Sequence, residues 1–424
     1  MANTILTHDM LAQRALFDLY NNLVMARKVF KGYNAFFSPV GGFKKGNTAR
    51  IKLPNKFRTQ SGASMLPVDI KESETTITVD QQEHVAWTFG EQEWTLDIEN
   101  MSEKYLNPAM IAMANKVDSD CFAEYINLYN HLGTPTVTPN DFAILAKIKE
   151  RFQNEAVPVD GNTCAIWSPK AVMALSTGEI KSVFNSQIVE TTVRKGFMGR
   201  YFDLEHFSDQ NVMPHTVGNY IDTAAVMDGP GIADATSIPT TGWNFSATGL
   251  LKRGDVIEID GVVAVNPISG NAWEGGELRQ FVVTADVDSG ADPGDAIIPI
   301  YPKLISKTAS AAELPYQTVV DLPASGAAIT VVSGDKESSY AQNLAFHSDC
   351  FALTMVPFAR PVSAGSSVNW GADSDKQLGL SVTVATAFDL ANHQESTRID
   401  ILYGVDTIRP ELGLRIIGGV VPPA

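Results

Sequence analysis

The sequence has few cysteines and no long apolar run, and both absences exclude whole classes of protein. Cys121, Cys164 and Cys350 lie far apart, without the C-x-x-C pairs of zinc and redox sites. We interpret them as reduced core residues. No stretch approaches the roughly 18 apolar residues that a membrane-spanning helix needs, and residues 1–10 lack the basic and apolar regions of a signal peptide. We therefore expect a chain that folds in a cytoplasm, without membrane contact.

Motifs that carry chemistry are incomplete. Residues 41–48 space two glycines like a phosphate loop, but Asn47 stands where the phosphate-binding lysine is required. Residues 286–292 are similar to a calcium loop, but Ile297 occupies the position of the bidentate glutamate, so we interpret them as a solvated acidic turn. Residues 347–350 contain the residue types of a nucleophilic triad, but neighbours on a strand edge point to opposite faces. We expect no catalytic residue, metal or cofactor. The sequence therefore predicts a protein that is not an enzyme.

The charge of the chain is distributed unevenly. The net charge is −16, yet residues 1–60 hold ten Lys or Arg against two acids, or +8, and the remainder holds 22 bases against 46 acids, or −24. Residues 69–103 alone carry ten acids and one base. Opposed neighbouring segments of this kind can pair between subunits and orient their association. They can equally be two solvated faces of one strand pair.

The first hundred residues change from a helical to a strand-like pattern. Apolar positions at helical spacing predict a helix over 5–31. Residues 36–90 then alternate as strands on either side of the turn-rich stretch 59–67. We interpret this region as a long two-stranded segment, similar to a hairpin. An isolated hairpin is marginally stable, so a neighbouring subunit is a reasonable support for it.

Residues 100–225 alternate helix and strand. The longest predicted helix follows residue 100, with an apolar stripe from Met110 to Leu128. A second helix covers 141–155, a buried strand covers 164–167, and a short helix opens at Ser168, an N-cap followed by proline. This pattern is typical of a mixed α+β core.

Residues 228–335 differ in composition from the preceding region and are rich in Gly, Pro, Ser, Thr and Asp. Short predicted strands separated by turns indicate a small β-barrel or sandwich, at 256–259, 261–265, 280–284 and 297–300. Further strand-like segments follow at 351–357, 380–385, 399–403 and 412–416. They need a sheet to join, and the earlier mixed core offers one. We therefore interpret the β region as an inserted domain.

Two motifs resemble a known family. The string WNFSATGLLKRGD at 243–255, followed by IEIDG at 257–261, resembles a strand-turn-strand in the insertion domain of Salmonella podovirus coat proteins. The string ILYGVDTIRPE at 401–411 resembles the tail of the same family. The order of the helical, strand-like and turn-rich regions also agrees with that of the family over nearly the whole chain. One departure is that 228–242 looks shorter and less charged than the family's polar loop, which puts salt bridging between capsomers in doubt.

The resemblance implies the α+β fold of Hong Kong 97-type phage capsid proteins with an inserted small β-barrel. It implies a major capsid protein that forms pentamers and hexamers of an icosahedral head around double-stranded DNA, through a scaffold-assisted precursor that expands. The domain boundaries that it implies are an N-terminal arm at 1–42, an extended loop at 43–83, a peripheral domain with the spine helix at 84–130, the first part of the axial domain at 131–226, the β-barrel at 227–334 and the return at 335–424.

Three sets of candidate residues follow from this map. Candidate inter-subunit contacts in the arm and loop are Arg27, Lys28, Lys44, Lys45, Arg50, Lys52, Lys56, Arg58, Glu72 and Glu74. The insertion turn is Lys252, Arg253, Gly254 and Asp255, where glycine allows positive φ. The C-terminal motif is Tyr403, Gly404, Arg409, Pro410 and Glu411.

The expected partners are further copies of the chain, a scaffolding protein and a portal. The acidic body argues against sequence-specific DNA contact, so packaged DNA would be held by confinement. Two alternatives stay open at this point. One is an encapsulin-like nanocompartment shell, which the insertion domain disfavours, and the other is a non-viral β-rich binding module, which the missing export signal disfavours.

Overall fold

The computed structural model describes residues 8–37, 46–59, 62–63, 67–90, 102–140, 142–177, 199–221, 225–359, 368–375 and 379–419. The chain forms two compact units, each discontinuous in sequence. The first comprises Met1–Ile51, Thr75–Phe122 and Phe351–Ile408. The second comprises Lys52–Glu74, Ala123–Cys350 and Arg409–Ala424.

The first unit is built on an antiparallel five-stranded sheet. The strands are β3 (Gln81–Gly90), β17 (Phe351–Met355), β18 (Val368–Asp375), β19 (Leu380–Asp389) and β20 (Gln394–Thr407). Strand β20 pairs with β17, β19 and β3, and β18 pairs with β19. Helix α1 (His8–Asn22) packs on β18 and β19. Inward-facing Val384, Ile399 and Tyr403 are buried.

This sheet corrects two sequence predictions. Residues 36–90 do not form one long two-stranded segment. Strand β1 (Thr48–Lys52) pairs with β2 (Glu74–Thr78), whereas β3 pairs with β20 over ten residues. The segments at 351–357, 380–385 and 399–403 do not join the earlier mixed sheet either, since they form this separate sheet. Alternation identifies a strand, but it does not identify the strand's partner.

The predicted N-terminal helix is shorter than expected. It was predicted over 5–31, whereas α1 ends at Asn22. The buried carboxylate of Asp118 accepts hydrogen bonds from the backbone N–H groups of Val24 at 2.7 Å and Ala26 at 2.8 Å. Because these N–H groups are taken by a side chain 94 and 92 residues away, the helix cannot continue through them.

The helix predicted after residue 100 is confirmed, and it is the longest α-helix among the described residues. Helix α2 (Asn107–Ala123) is preceded by a π-helical turn at Ser102–Leu106 and followed by a 3-10 turn at Glu124–Asn127. Its apolar stripe is buried as predicted, with Met110, Ala114, Val117 and Cys121 each at most 1% exposed.

The second unit contains a mixed six-stranded sheet. Its order is β4 (His131–Leu132), β21 (Gly413–Ile416), β16 (Asn343–His347), β5 (Thr163–Trp167), β7 (Leu204–Ser208) and β6 (Arg200–Tyr201). The pairs β4–β21 and β5–β7 are parallel, and the others are antiparallel. The predicted return of 412–416 to this core is confirmed. Strands β8 (Pro214–Thr216) and β15 (Ser339–Ala341) form a separate ribbon.

Helices of this unit match their sequence signals. Helix α3 (Phe142–Asn154) buries Leu145, Ile148 and Phe152, as its stripe predicts. Helix α4 (Pro169–Thr177) begins after Ser168, whose hydroxyl accepts a hydrogen bond from Ala171 N–H at 3.3 Å. The predicted N-cap is therefore confirmed.

The region from 225 to 331 is a small closed barrel. Its sheet order is β14 (Ile329–Val331), β11 (Val256–Val263), β12 (Leu278–Val283), β13 (Ala296–Tyr301), β10 (Ser237–Thr241) and β9 (Val226–Met227). The end strands also meet, since Met227 N–H donates to Ala327 at 2.9 Å and Ile329 N–H to Ala225 at 2.9 Å. Closure removes the sheet edges. The core includes Ile238, Leu250, Ile257, Ile259, Val262, Phe281, Val283 and Ile298.

Candidate functional site

The basic side chains of residues 52–71 have partners within their own chain. Lys52 Nζ lies 2.6 Å from Glu72 Oε2, with both side chains mostly exposed. Lys71 Nζ lies 2.9 Å from Glu313 Oε1 of the barrel region. The Tyr316 hydroxyl donates to the Lys71 carbonyl at 2.7 Å. Lys71, which was not among the predicted contact residues, therefore ties this segment to the barrel region, while the predicted pair Lys52 and Glu72 is satisfied within the segment.

Lys56 and Arg58 also face the barrel. Lys56 Nζ lies 6.0 Å from the centre of the Tyr316 ring. The Arg58 guanidinium packs against Gly270, where a Cβ atom would lie 2.1 Å from Arg58 Nη2. Burial lowers the pKa of Arg58 from its usual value. Glycine at 270 thus makes room for a half-buried cation.

The other predicted contact residues are Arg27, Lys28, Lys44, Lys45, Arg50 and Glu74. The Arg27 guanidinium lies 4.9 Å from the centre of the Tyr20 ring. Lys28, Arg50 and Glu74 each have an interaction partner. Lys44 and Lys45 lie outside the described residues. An inter-subunit role for the predicted set stays a prediction.

The insertion turn is organised by a fully buried carboxylate. Asp255 Oδ2 accepts from the backbone N–H of Lys252 at 2.8 Å and of Gly218 at 3.0 Å. Asp255 Oδ1 lies 2.9 Å from His215 Nε2 and 3.2 Å from Ser333 Oγ. These bonds satisfy a carboxylate that would otherwise be costly to bury.

Gly254 holds the same turn in the left-handed region, with φ +96°, as the sequence predicts. Its carbonyl accepts from Arg415 Nη1 at 2.8 Å, and its Cα side lies against Ile126, where a Cβ would approach to 2.6 Å. Arg253 Nη2 donates to Asn127 Oδ1 at 3.0 Å. The turn therefore joins the barrel to the Glu124–Asn127 turn and to β21. Burial lowers the pKa of Arg415 to about 10.

The acidic stretch after β12 has a structural role. Asp286 Oδ1 accepts from Arg253 N–H at 2.7 Å, and Asp288 Oδ1 accepts from Gly249 N–H at 2.6 Å. Asp286 thus satisfies a backbone donor of the insertion turn, and Asp288 satisfies one in the segment just before that turn. In the described part of the chain, no group of three or more His, Cys, Asp or Glu is placed to hold a metal ion.

The stretch 347–350 is not the strand edge that was predicted. His347 ends β16, and Ser348–Cys350 forms a 3-10 turn. His347 Nε2 bonds to Asp160 at 3.1 Å, while its Nδ1 accepts from the backbone N–H of Asp349 at 3.2 Å. Both ring nitrogens are thus occupied by structural hydrogen bonds, and Cys350 is buried.

The first half of the C-terminal motif lies on β20. The buried Tyr403 hydroxyl donates to Asp120 of α2, and burial raises the pKa of Tyr403 far above its usual value, with Asp120 adding to the effect. A Cβ on Gly404 would lie 1.9 Å from the Thr78 carbonyl oxygen, so only glycine lets β2 approach. The Asp406 carboxylate then accepts from Thr78 N–H at 3.0 Å.

The second half of the motif forms a 3-10 turn, Pro410–Leu412, with proline at its first position. Arg409 Nε bonds to Glu411 Oε1 at 3.1 Å, and Arg409 N–H donates to the Cys350 carbonyl at 3.1 Å. Arg409, Pro410 and Glu411 therefore stabilise the turn that leads into β21.

Sequence reasoning missed a buried ion pair. Arg279 Nη1 on β12 lies 2.7 Å from Glu155 Oε1, with side chains 4% and 1% exposed. The Arg279 guanidinium also lies 4.5 Å from the centre of the Tyr129 ring. The available signal was an arginine inside a strand with four apolar residues, LRQFVV at 278–283.

No helix in the described part of the chain is long and apolar enough to cross a membrane.

A family model described as P22 coat protein, gene protein 5, matches residues 7–418. No curated protein matches the sequence. Among solved structures, the chain is similar to one from Mycobacterium phage Che8, with 11% identity and a TM-score of 0.48 over 93% of this chain and 90% of that one. The capsid of Ralstonia phage GP4 has 9% identity and a TM-score of 0.42, over 90% and 86%. A virus-like particle from Pyrococcus furiosus has 8% identity and a TM-score of 0.34, over 96% and 97%.

Proposed function

The chain belongs to the P22 coat protein family, and from that membership we propose that it forms the pentamers and hexamers of an icosahedral phage head around double-stranded DNA. It is a capsid shell protein, with a structural and not an enzymatic role. The sequence prediction of an α+β, Hong Kong 97-type fold is confirmed. The observation that carries the proposal is the extent of the family match, 412 residues from 7 to 418.

Assembly would use many weak contacts. An arm at 1–42 and an extended loop at 43–83 would reach neighbouring subunits, while the spine helix, the axial region and the 227–334 barrel keep the subunit in shape. Such contacts close a shell because multivalency multiplies modest interface energies. Exposed apolar side chains of the loop support this role, since Phe57 is 69% and Ile70 is 61% exposed.

We place a separate scaffolding protein and a portal in the assembly pathway. In this proposal a precursor shell forms with the scaffolding partner and expands as DNA enters. The body of the chain carries 46 acids against 22 bases after residue 60. Packaged DNA would therefore be held by confinement, with counterions at the inner wall. Assembly would take place in the host cytoplasm, and the mature protein would reside in the virion.

Negative-stain electron microscopy of the purified chain tests the proposal, with the chain expressed alone and together with a candidate scaffolding partner. We expect closed, uniform shells with the partner and aberrant shells or spirals without it. Monomers or small oligomers under both conditions would overturn the capsid proposal. Uniform, correctly sized shells from the chain alone would overturn the need for a scaffold.

A pair of matched variants tests the extended loop. Ile70→Asp places a charge on the loop, and Ile232→Asp places the same charge on the barrel region at a side chain that is 71% exposed. We expect Ile70→Asp to lose shells while both variants stay soluble and folded by circular dichroism. Equal assembly of the two variants would remove the loop from the set of subunit contacts.

A further inference from the structure

An acidic cleft lies in the second unit, between the turn after β4, helix α3 and the strands of the barrel. Its volume is about 540 Å³. Four carboxylates line it, those of Glu150, Glu258, Glu277 and Asp335, against the two cations Lys147 and Arg151. The lining thus carries two more negative than positive groups.

Two of the four carboxylates are already paired. Glu150 Oε2 lies 3.2 Å from Lys147 Nζ, and Glu277 Oε2 lies 3.4 Å from Arg151 Nη2. Within the described chain, Glu258 has an amide partner, Gln280 Nε2 at 2.9 Å, but no ion pair. Burial raises the pKa of Glu258 above its usual value.

The fourth carboxylate of the cleft, Asp335, also lacks an ion-pair partner among the described residues, and the cleft contains one histidine, His131. Asp335 accepts from the Tyr340 hydroxyl at 3.2 Å and makes no ion pair with a described residue. His131 is 4% exposed, and its Nε2 has no hydrogen-bond partner among the described residues. Burial, with nearby Arg415 adding to it, lowers the pKa of His131 well below its usual value, so the ring is neutral and can accept a hydrogen bond.

One further group in the cleft, the guanidinium of Arg151, requires a hydrogen-bond acceptor and not a donor. Arg151 is 9% exposed, and its Nη1 has no partner among the described residues. A guanidinium can only donate, so it needs an acceptor such as a backbone carbonyl. The occupant that fits all these groups is a peptide segment whose side chain is a cation and whose backbone offers an acceptor.

We propose that this acidic cleft receives a lysine from the basic region at 1–60 of a second copy of the chain. A lysine ammonium is a compact charge with three donors, and Glu258, Asp335 and His131 supply three acceptors on one cleft. The charge of +8 in residues 1–60 against −24 in the remainder provides the complementarity between copies. The inference rests on the proposed assembly into shells.

Crosslinking of mixed shells tests the proposal. Shells are assembled from equal amounts of nitrogen-15-labelled and unlabelled chains, treated with a carbodiimide that joins lysine to carboxylate without a spacer, and analysed by mass spectrometry. We expect mixed-label peptides that join Glu258 or Asp335 to a lysine of residues 1–60. Lys307 and Asp321, whose Nζ and Oδ1 atoms lie 2.8 Å apart, give a within-chain reference that must be same-label.

The double variant Glu258→Gln, Asp335→Asn provides the specificity control, because it keeps the side-chain shapes and removes both charges. We expect it to lose the mixed-label peptides and to keep the reference peptide, and its thermal unfolding as a subunit shows whether it folds. If shells form and the reference peptide appears, but the cleft acids stay unlinked or link only within one label, the inference is overturned and the proposed function stands. If no shells form, both fall.

Discussion

Removing one partner of the buried Arg279–Glu155 pair is expected to destabilise the subunit far more than removing both. The two groups are 2.7 Å apart and nearly inaccessible, with 4% and 1% of the side chains exposed. Arg279→Leu leaves a buried carboxylate without its cation, and Glu155→Leu leaves a buried cation without its carboxylate. Each single change is expected to cost about 3–5 kcal/mol in the free energy of unfolding.

The double variant separates this effect from lost packing. With both charges gone, no buried charge is left unpaired, and we expect the stability to lie within about 1–2 kcal/mol of the parent. Arg279 also stacks on Tyr129, so part of its contribution, about 1–2 kcal/mol, stays lost in the double variant. The cycle is therefore expected to give a coupling energy of about 3 kcal/mol or more.

Urea unfolding of the unassembled subunit, followed by tryptophan fluorescence, measures the cycle. Trp273 is a suitable probe because its ring centre lies 5.8 Å from the Arg279 guanidinium. The matched control is the exposed pair Lys307–Asp321, both 57% exposed, for which the same cycle is expected to give less than about 1 kcal/mol. Single changes at Arg279 and Glu155 that simply add up in the double variant would refute the reasoning.

Three further outcomes are expected. Gly404→Ala forces a methyl group against the Thr78 carbonyl and is expected to lower subunit stability by about 1–3 kcal/mol in thermal melts, whereas Gly46→Ala, in open space, should leave the melt unchanged. Asp255→Asn replaces a buried charged acceptor and is expected to cost about 1.5–3 kcal/mol in urea unfolding; an unchanged midpoint would contradict its anchoring role. Burial lowers the pKa of His206 to about 4, so the unfolded chain takes up a proton first as the pH falls. Stability should then drop between pH 6.5 and 4 by up to about 1.4 kcal/mol per unit, and His206→Gln should flatten that slope in pH-dependent melts.

Periodic patterns identified helices and strands well, because they reflect which face of an element is buried. The stripe on α2 and the N-cap at Ser168 follow from local chemistry alone. The end of α1 does not, since it depends on Asp118, which is more than 90 residues away. The pairing of β3 with β20 is equally non-local, and the alternation of apolar and polar residues does not indicate which strand is the partner.

The candidate site was predicted unevenly for the same reason. The positive φ of Gly254 could be inferred from the turn itself, because glycine is the residue that tolerates it. The need for glycine at 404 could not, since it arises from the carbonyl of Thr78 on another strand. Arg279 was overlooked because the role of a single charged residue in a mostly apolar strand becomes clear only when Glu155 is placed beside it.

The two motifs that resemble the coat protein family turn out to contact their own chain. Asp255 satisfies four groups of its own turn and surroundings, and Gly404 lets two strands of one subunit approach. A shell held by many weak contacts needs subunits whose shape does not vary, because each interface contributes only when its neighbours are correctly placed. On this reasoning the motifs secure the subunit, and the exposed groups of the loop, such as Phe57 and Ile70, are where contacts between subunits should be sought.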